Sequence, residues 1–411
     1  MPELLSPAGN MQKLKSALLY GADAVYCAGK AFGMRAAADN FEKEELFEAI
    51  EYAHDRKKKL YLTVNTIPGW REYEELKTFL RGLADCPPDA LIVADPGVLT
   101  LAKELLPHTG LHISTQAGAV SDADCTFWQK QGASRVVLAR ELTFEDIAHI
   151  RKNVSKELEL EAFIHGSMCV SFSGRCLLSN YLVGRSADRG CCTQPCRWNY
   201  KLYELEEEER PGQRLPIVEN ELGTFIMSSK DLCMIEYIPE LIEAGIASFK
   251  IEGRMKSAYY AAVTANTYRM AIDAYLSDPG HYRTDPAWIG ELSSVSHREY
   301  CTGFFFDSPR LAGQTVTAPG YIREKGYLAV AQSYDERTGR AYFVQRNKVF
   351  DGARAELLTP GRCGVPIVIE DMRNEEGEKI DAAPHPFMAF SVRTDLRVKE
   401  GDILRGVKDP E

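Results

Sequence analysis

The segment Ser248-Phe-Lys-Ile-Glu-Gly-Arg254 begins with the eighth in a series of short apolar runs. Amphipathic segments of helical periodicity follow most of the seven earlier runs. Continuous apolar runs of this kind are expected in a parallel sheet that is covered by helices. The predicted strands are Glu3–Ser6, Ala24–Cys27, Lys59–Val64, Ala90–Ala94, Leu111–Thr115, Arg135–Leu138, Leu158–Ile164 and Ser248–Ile251. This pattern predicts an α/β fold with a (β/α)8 TIM-like barrel, and a doubly wound open sheet is the alternative.

Helix signals separate the predicted strands. Asn10, Ser121 and Thr143 stand where helix caps are expected, and Gly21 is placed to end the first helix. A longer helix is predicted for Ala258–Leu276, with one apolar face suited to core packing.

Polar or glycine-bearing residues follow the predicted strands. The carboxyl ends of all strands in such a barrel open onto one face, where the active site is built. Turn residues end strands in every fold, but so many ionisable and amide groups favour a functional site. The candidates are Asn65, Gln116, Arg140, His165, Lys250, Glu252 and Arg254. Of these, His165 is the candidate proton donor, with a structural role as the alternative. Glu252 is the candidate base, and orienting Arg254 is its alternative role.

The pattern changes in the last quarter of the chain. Apolar runs there follow one another without intervening helices: Leu328–Tyr334, Arg340–Gln345, Ile367–Ile369, Met388–Val392 and Val398–Leu404. Turn residues separate them, which is typical of a small β-barrel. The predicted organisation is a catalytic barrel at 1–280 with a cysteine-rich insertion at 166–229 after strand 7, a connector at 281–317, and a C-terminal β-barrel at 318–411.

Composition narrows the class of protein. The 411 residues include 49 Lys and Arg against 59 Asp and Glu, giving a net charge of −10, which excludes a wholly basic nucleic-acid coat but not a local basic patch. The N-terminal residues do not resemble a signal peptide, and no run approaches the roughly 18 apolar residues of a membrane span. We therefore predict a cytoplasmic protein without a membrane segment. In a reducing compartment, the odd number of cysteines argues against a disulfide framework.

Cysteines are concentrated between the seventh and eighth strands. Four thiolates within this short stretch suffice for a metal ion or an iron–sulfur cluster. Only the last two have the close spacing of a zinc-finger pair, so a [4Fe–4S] cluster is favoured over zinc. The predicted ligands are Cys169, Cys176, Cys192 and Cys196, with Cys191 and Cys233 as alternatives for the fourth position.

Several motifs of the chain resemble those of a known protein family. They are Ser6-Pro-Ala-Gly-Asn10, Gly21-Ala-Asp-Ala-Val-Tyr26, His165-Gly-Ser-Met-Cys169, Gln194-Pro-Cys-Arg197 and Lys250-Ile-Glu-Gly-Arg254. Together they resemble the motifs of peptidase family U32 over essentially the whole chain. The resemblance is strongest to the branch of that family that hydroxylates uridine 34 of tRNA.

The resemblance implies a [4Fe–4S] enzyme that forms 5-hydroxyuridine in the tRNA anticodon loop, with prephenate as a dianionic oxygen donor. Carboxylates are bound well by the guanidinium fork of arginine. The candidate cations for prephenate are Arg35, Arg140, Arg197, Lys250 and Arg254. A structural salt bridge is the alternative for each of them.

Other activities remain open at the level of sequence. The family also contains collagenase-like peptidases, although the chain has neither an H-E-x-x-H nor a G-x-S-x-G motif. A ribosomal RNA hydroxylase and a non-catalytic RNA-binding partner are the further alternatives. The sequence leaves the oligomeric state open.

Overall fold

This computed structural model describes residues 1–34, 39–169, 171–172, 176, 178–183, 185, 192–195, 218–220, 223–225, 229–307, 322 and 324–406. The chain forms two compact units. The first comprises residues 1–14, 23–256 and 297–321, and the second comprises 15–22, 257–296 and 322–411. No helix within the described ranges is long and apolar enough to cross a bilayer.

The first unit is built on a parallel barrel of eight strands with four short additional strands. In chain order the strands are β1 (Glu3–Pro7), β2 (Ala24–Cys27), β3 (Lys59–Val64), β4 (Ala90–Val93), β5 (Gly110–Ile113), β6 (Arg135–Val137), β7 (Glu159–Ser167), β8 (Val218–Asn220), β9 (Gly223–Phe225), β10 (Asp231–Cys233), β11 (Ser248–Ile251) and β12 (Tyr300–Cys301). Strands β1 to β7 pair in sequence, and β11 pairs in parallel with both β7 and β1. These pairings close the barrel, so the predicted (β/α)8 fold is confirmed and the open sheet is excluded.

Helices lie between successive barrel strands, as the sequence predicts, and two more follow the last of these strands. They are α1 (Met11–Leu19), α2 (Lys43–Asp55), α3 (Tyr73–Arg81), α4 (Pro96–Leu105), α5 (Asp122–Lys130), α6 (Phe144–Asn153), α7 (Leu178–Val183), α8 (Ile238–Glu243), α9 (Ala258–Ser277) and α10 (Pro286–Ser293). The predicted caps are confirmed: Asn10 Oδ1 accepts the Lys13 amide hydrogen at 3.0 Å, and Ser121 and Thr143 each form a capping box.

The end of β7 differs from its prediction. The strand continues to Ser167 because β10 pairs with it in antiparallel orientation, placing Cys233 opposite His165. The predicted insertion therefore begins inside a strand at Gly166. Most of the insertion, including its glutamate-rich segment at 203–213, lies outside the described residues.

The second unit contains the predicted C-terminal β-domain, an antiparallel curled sheet. Its strands are β13 (Tyr327–Asp335), β14 (Arg340–Gln345), β15 (Val349–Phe350), β16 (Arg354–Leu358), β17 (Val365–Val368), β18 (Glu370–Arg373), β19 (Ala382–Ala383), β20 (Ala389–Arg393) and β21 (Ile403–Gly406). Seven of them follow the order β17-β16-β21-β13-β14-β20-β18. Sequence did not predict β16, whose Ala, Glu and Leu residues are common in helices. The last predicted element, Val398–Leu404, was expected to be a strand around a turn at Glu400-Gly401. The turn is present at Gly401 (φ +86°), and β21 begins after it.

Candidate active site

A pocket opens at the carboxyl ends of the barrel strands. It encloses about 470 Å³ of space between the protein atoms, its open mouth included. Side chains from seven barrel strands or the segments that follow them line it: Tyr26, Met34, Thr63, Asn65, Ile92, Ser114, Thr115, Gln116, Val137, Arg140, Phe163, Lys250, Glu252 and Arg254. Six of the residues predicted from strand ends are in this set: Asn65, Gln116, Arg140, Lys250, Glu252 and Arg254.

A buried ion network supports the pocket from the barrel interior. Lys250 Nζ lies 2.7 Å from Glu161 Oε1, and Arg135 Nη1 lies 3.0 Å from Glu161 Oε2 and 2.6 Å from Glu3 Oε1. Burial alone would raise the pKa of Glu161, but Lys250 and Arg135 hold it at about 2. Burial lowers the pKa of Lys250 from its ordinary value, and Glu161 opposes that shift. The network therefore fixes the Lys250 amine in the pocket lining.

Arg140 forms one wall of the pocket. Its guanidinium lies over the Phe163 ring at 3.9 Å, and its Nη1 donates to the Ser167 carbonyl at 2.9 Å. Its Nε is buried and has no hydrogen-bond partner among the described residues. A buried donor of this kind is costly unless a ligand or water accepts its hydrogen. Arg140 can therefore contribute a donor to a bound anion.

Arg254 and Glu252 reach the pocket from the segment after β11. Arg254 is almost fully buried, and its Nη1 donates to Thr63 Oγ1 at 3.3 Å. Glu252 Oε2 lies 3.9 Å from Arg140 Nη2. With Lys250, the lining holds three basic side chains and one carboxylate, and Glu161 behind the lining balances the charge of Lys250. The lining is therefore rich in donors for a small anion.

Tyr26 is a pocket residue that sequence reasoning missed. Its hydroxyl lies 3.0 Å from the Ile251 carbonyl and 3.2 Å from Glu252 Oε2. Burial, and then the charge of Glu252, raise the pKa of Tyr26, so the phenol stays protonated and can donate to the carboxylate. Its position on β2 could have identified it. Side chains alternate between the two faces of a strand, so Tyr26 lies on the same side as Ala24, inside the barrel. Thr63, Ser114 and Phe163 were also missed.

Gly166 allows β7 to approach the segment that carries Glu252. It has φ +105°, and a Cβ at this position would lie 2.3 Å from the Glu252 carbonyl oxygen. The amide of Glu252 donates to the His165 carbonyl at 2.9 Å in the same contact. Both the backbone conformation and the close approach therefore require glycine here.

His165 is not among the residues that line the pocket. Strands β7 and β11 pair Phe163 with Lys250, but the next pair is His165 with Ile251, so Ile164 is the extra residue of a bulge. Paired residues share a face, and His165 therefore lies on the side of Ile251 rather than that of Lys250. Burial lowers the pKa of His165 to about 3, although Asp231 opposes the shift. The neutral ring packs at 5.4 Å from Tyr300, which corrects its expected location at the mouth.

Two further predicted cations cannot be located. Arg35 and Arg197 lie outside the described residues, and the same holds for Cys196 and Cys191. Their proposed roles stay predictions.

Three of the predicted cluster ligands are described. Cys169 is exposed two residues beyond β7, and Cys176 and Cys192 are half-buried. Cys192 Sγ accepts hydrogen bonds from the Gln194 amide at 3.4 Å and from Ser179 Oγ at 3.7 Å. Such donors stabilise negative charge on sulfur, and this environment fits a ligating thiolate. The described residues contain no group of three His, Cys, Asp or Glu side chains that could hold a metal ion. The cluster therefore stays a prediction that depends in part on Cys196.

Comparisons with known proteins agree on one family. The family model for peptidase family U32 matches residues 9–315, and the model for its C-terminal domain matches residues 323–405. The chain is 37% identical over 404 residues to tRNA hydroxylation protein P1 of Bacillus subtilis, covering 98% of this chain and 94% of the relative. It is 37% identical to tRNA hydroxylation protein P of Escherichia coli, covering 93% and 91%. A collagenase of Porphyromonas gingivalis is 31% identical, covering 91% and 90%.

Proposed function

The chain belongs to peptidase family U32, and on that premise we propose that it is an enzyme that hydroxylates uridine 34 of the tRNA anticodon loop to 5-hydroxyuridine. Two relatives that match nearly the whole chain are named for tRNA hydroxylation. The structural observation that carries the proposal is the pocket at the barrel mouth, which presents three cations around one carboxylate.

Prephenate is the proposed oxygen donor. Conversion of uracil C5–H to C5–OH is a two-electron oxidation, so it requires a co-substrate that supplies oxygen and accepts the electrons. Prephenate carries two carboxylates, and Arg140, Lys250 and Arg254 provide the charge to bind them. The buried Nε of Arg140 gives the site a donor that a carboxylate oxygen would satisfy.

The remaining polar groups suit a pyrimidine and a proton transfer. Asn65 and Gln116 bring amide side chains, which can donate to and accept from a uracil edge. Glu252 holds the only carboxylate among the lining residues described, and it is the candidate to accept the proton from C5. Tyr26 holds that carboxylate in place through its hydroxyl. The base must leave its stack to enter the pocket, and single-stranded anticodon loops permit this at low cost.

We also propose a [4Fe–4S] cluster held by Cys169, Cys176, Cys192 and Cys196. When bound, such a cluster supplies electron transfer or Lewis-acid chemistry. The hydrogen bonds to Cys192 Sγ support this assignment. Purification under anaerobic conditions with an iron and sulfide assay tests it: Cys169→Ala and Cys176→Ala should lose most of the iron, whereas Cys86→Ala, a cysteine outside the insertion, should retain it.

The activity can be tested with the anaerobically purified protein, a tRNA transcript with uridine 34, and prephenate. Nucleoside mass spectrometry should detect 5-hydroxyuridine in the complete reaction and none when prephenate is omitted. Formation of product without prephenate would remove the donor assignment alone. A complete reaction without product, from protein that contains iron and sulfide, would overturn the proposal.

A peptidase is the second candidate, because one relative is named a collagenase. Peptide hydrolysis needs an activated nucleophile, and the histidine nearest to Cys169 in sequence is neutral and buried on the outer face of β7. Incubation of the same preparation with denatured collagen distinguishes the two activities. Cleavage that survives removal of trace proteases and is lost in Cys169→Ala would favour the peptidase.

A further inference from the structure

Several exposed apolar side chains lie in the loops that leave the carboxyl ends of the barrel strands, and others are spread over the rest of the chain. Trp70 is 78% exposed and Ile67 is 51% exposed, both in the segment between β3 and α3. Three other loops at this end of the barrel each present one more: Val120, Phe172 and Met255. Scattered exposed apolar residues are ordinary, but a set that shares one end of a barrel is a feature of a binding surface.

The chain connects these side chains directly to the pocket. Trp70 follows the lining residue Asn65 by five residues, so it lies within about 17 Å of it even if the loop were fully extended. Val120 follows Gln116 by four residues, and Met255 follows Arg254 immediately. These side chains therefore lie in segments that leave the pocket at the end of the barrel where its mouth opens.

Trp70 is held in a defined position. It begins a 3-10 turn, Trp70–Glu72, in which Glu72 accepts the Gly69 amide hydrogen at 2.7 Å and donates its own amide hydrogen to the Gly69 carbonyl at 2.9 Å. The Arg71 guanidinium lies 4.7 Å from the centre of the indole ring. The indole ring of Trp70 is thus exposed to solvent next to a positive charge and contributes little to the core.

We propose that Trp70 and Arg71 form a stacking platform for an unpaired base of the RNA loop whose neighbouring uridine enters the pocket. Indole presents a broad π face to any base, and Arg71 is placed to attract the adjoining phosphate. This inference rests on the proposed function and extends it to the loop outside the pocket.

The surface fits RNA better than a peptide. The cations of the pocket and Arg71 together complement a polyanion, on a protein whose net charge is −10. One common mode of peptide recognition adds the extended peptide as a strand to a free sheet edge. The barrel strands that surround this mouth are paired on both sides and offer no such edge.

Binding of a fluorescent anticodon stem-loop RNA tests the platform. Trp70→Ala should weaken binding about 5- to 150-fold, the range measured for loss of one base–aromatic stack, and Trp70→Phe should restore part of it. Phe127→Ala is the matched control, because Phe127 is 52% exposed but lies on α5. That control should bind as the unaltered protein does. Prephenate affinity, measured by calorimetry, should be the same in all variants.

The possible outcomes distinguish failure of the stacking platform from failure of the proposed tRNA hydroxylation. Equal RNA affinity of Trp70→Ala and Phe127→Ala, in a protein that hydroxylates tRNA, would overturn the platform alone. RNA binding that depends on Trp70 without any hydroxylation would retain the platform and defeat the activity. Binding of denatured collagen instead of RNA, with the same dependence on Trp70, would overturn both.

Discussion

Lys250 Nζ lies 2.7 Å from Glu161 Oε1 inside the barrel, and both side chains are almost completely buried. Lys250 also lines the pocket, so this ion pair links the stability of the barrel to the charge of the site. Four predictions about the pocket and its support follow from such contacts.

Glu161→Gln should destabilise the protein by about 3 kcal/mol or more, because it leaves Lys250 and Arg135 buried without their shared carboxylate. Glu159→Gln is the matched control: Glu159 also contacts Arg135, but its side chain is 48% exposed, and its loss should cost no more than about 1 kcal/mol. Urea unfolding measures both. Equal stability of the two variants would contradict the role of the buried network.

Gly166→Ala should lower both stability and prephenate affinity, because the added Cβ would lie 2.3 Å from the Glu252 carbonyl at a positive φ. Gly290→Ala provides the control, since nothing lies within 4 Å of the equivalent Cβ and the residue is inside α10. That substitution should be neutral or stabilise by up to about 1 kcal/mol. Thermal unfolding and calorimetry provide the two readouts. If Gly166→Ala matched Gly290→Ala in both thermal stability and prephenate affinity, the close approach of Gly166 to Glu252 would be unimportant.

The stability of the barrel should fall as the pH decreases from about 6.5 towards 3. Burial, and then Arg135, lower the pKa of His112 to about 3, whereas an unfolded histidine titrates near 6.5. The unfolded state therefore binds more protons in this window, and folding stability is lost as the pH falls through it. His112→Phe, which keeps a ring beside Tyr61, should make the slope shallower by nearly one proton near pH 5. An unchanged slope in urea unfolding at several pH values would refute this assignment.

Arg140→Gln should weaken prephenate binding about 10- to 100-fold, because a hydrogen bond to a charged group typically contributes about 1.5–3 kcal/mol. Arg81→Gln, an exposed arginine in the last turn of α3, serves as the control with an equal change of net charge. Isothermal titration calorimetry measures both affinities. If both variants show the same small loss of prephenate affinity, general electrostatic attraction rather than Arg140 accounts for binding.

Much of the barrel and its mouth could be predicted from sequence. All eight strands were located, because β-like runs and helical segments alternate with clear periods. Six lining residues were also found, since Lys250 lies near the end of a predicted strand, the other five come shortly after one, and the topology brings strand ends together. Tyr26 was missed because an inward-facing residue inside a strand resembles ordinary core.

The errors have local causes. The bulge at Ile164 reverses the face of His165, and a single extra residue in a strand has no periodic signal in sequence. The extension of β7 depends on its partner β10, which comes more than 60 residues later. The sequence could not predict which glutamate pairs with Lys250 either. Glu159 and Glu161 lie on the same face of β7, and only their depth in the barrel distinguishes them.

Nucleoside analysis in cells measures whether this pocket hydroxylates uridine 34 of tRNA. A strain that lacks its own uridine 34 hydroxylases would express this chain, Arg254→Gln or Arg81→Gln at matched levels. Mass spectrometry should detect 5-hydroxyuridine derivatives with the unaltered chain and with Arg81→Gln, but not with Arg254→Gln. Failure of the unaltered chain to restore them, or full restoration by Arg254→Gln, would contradict the account.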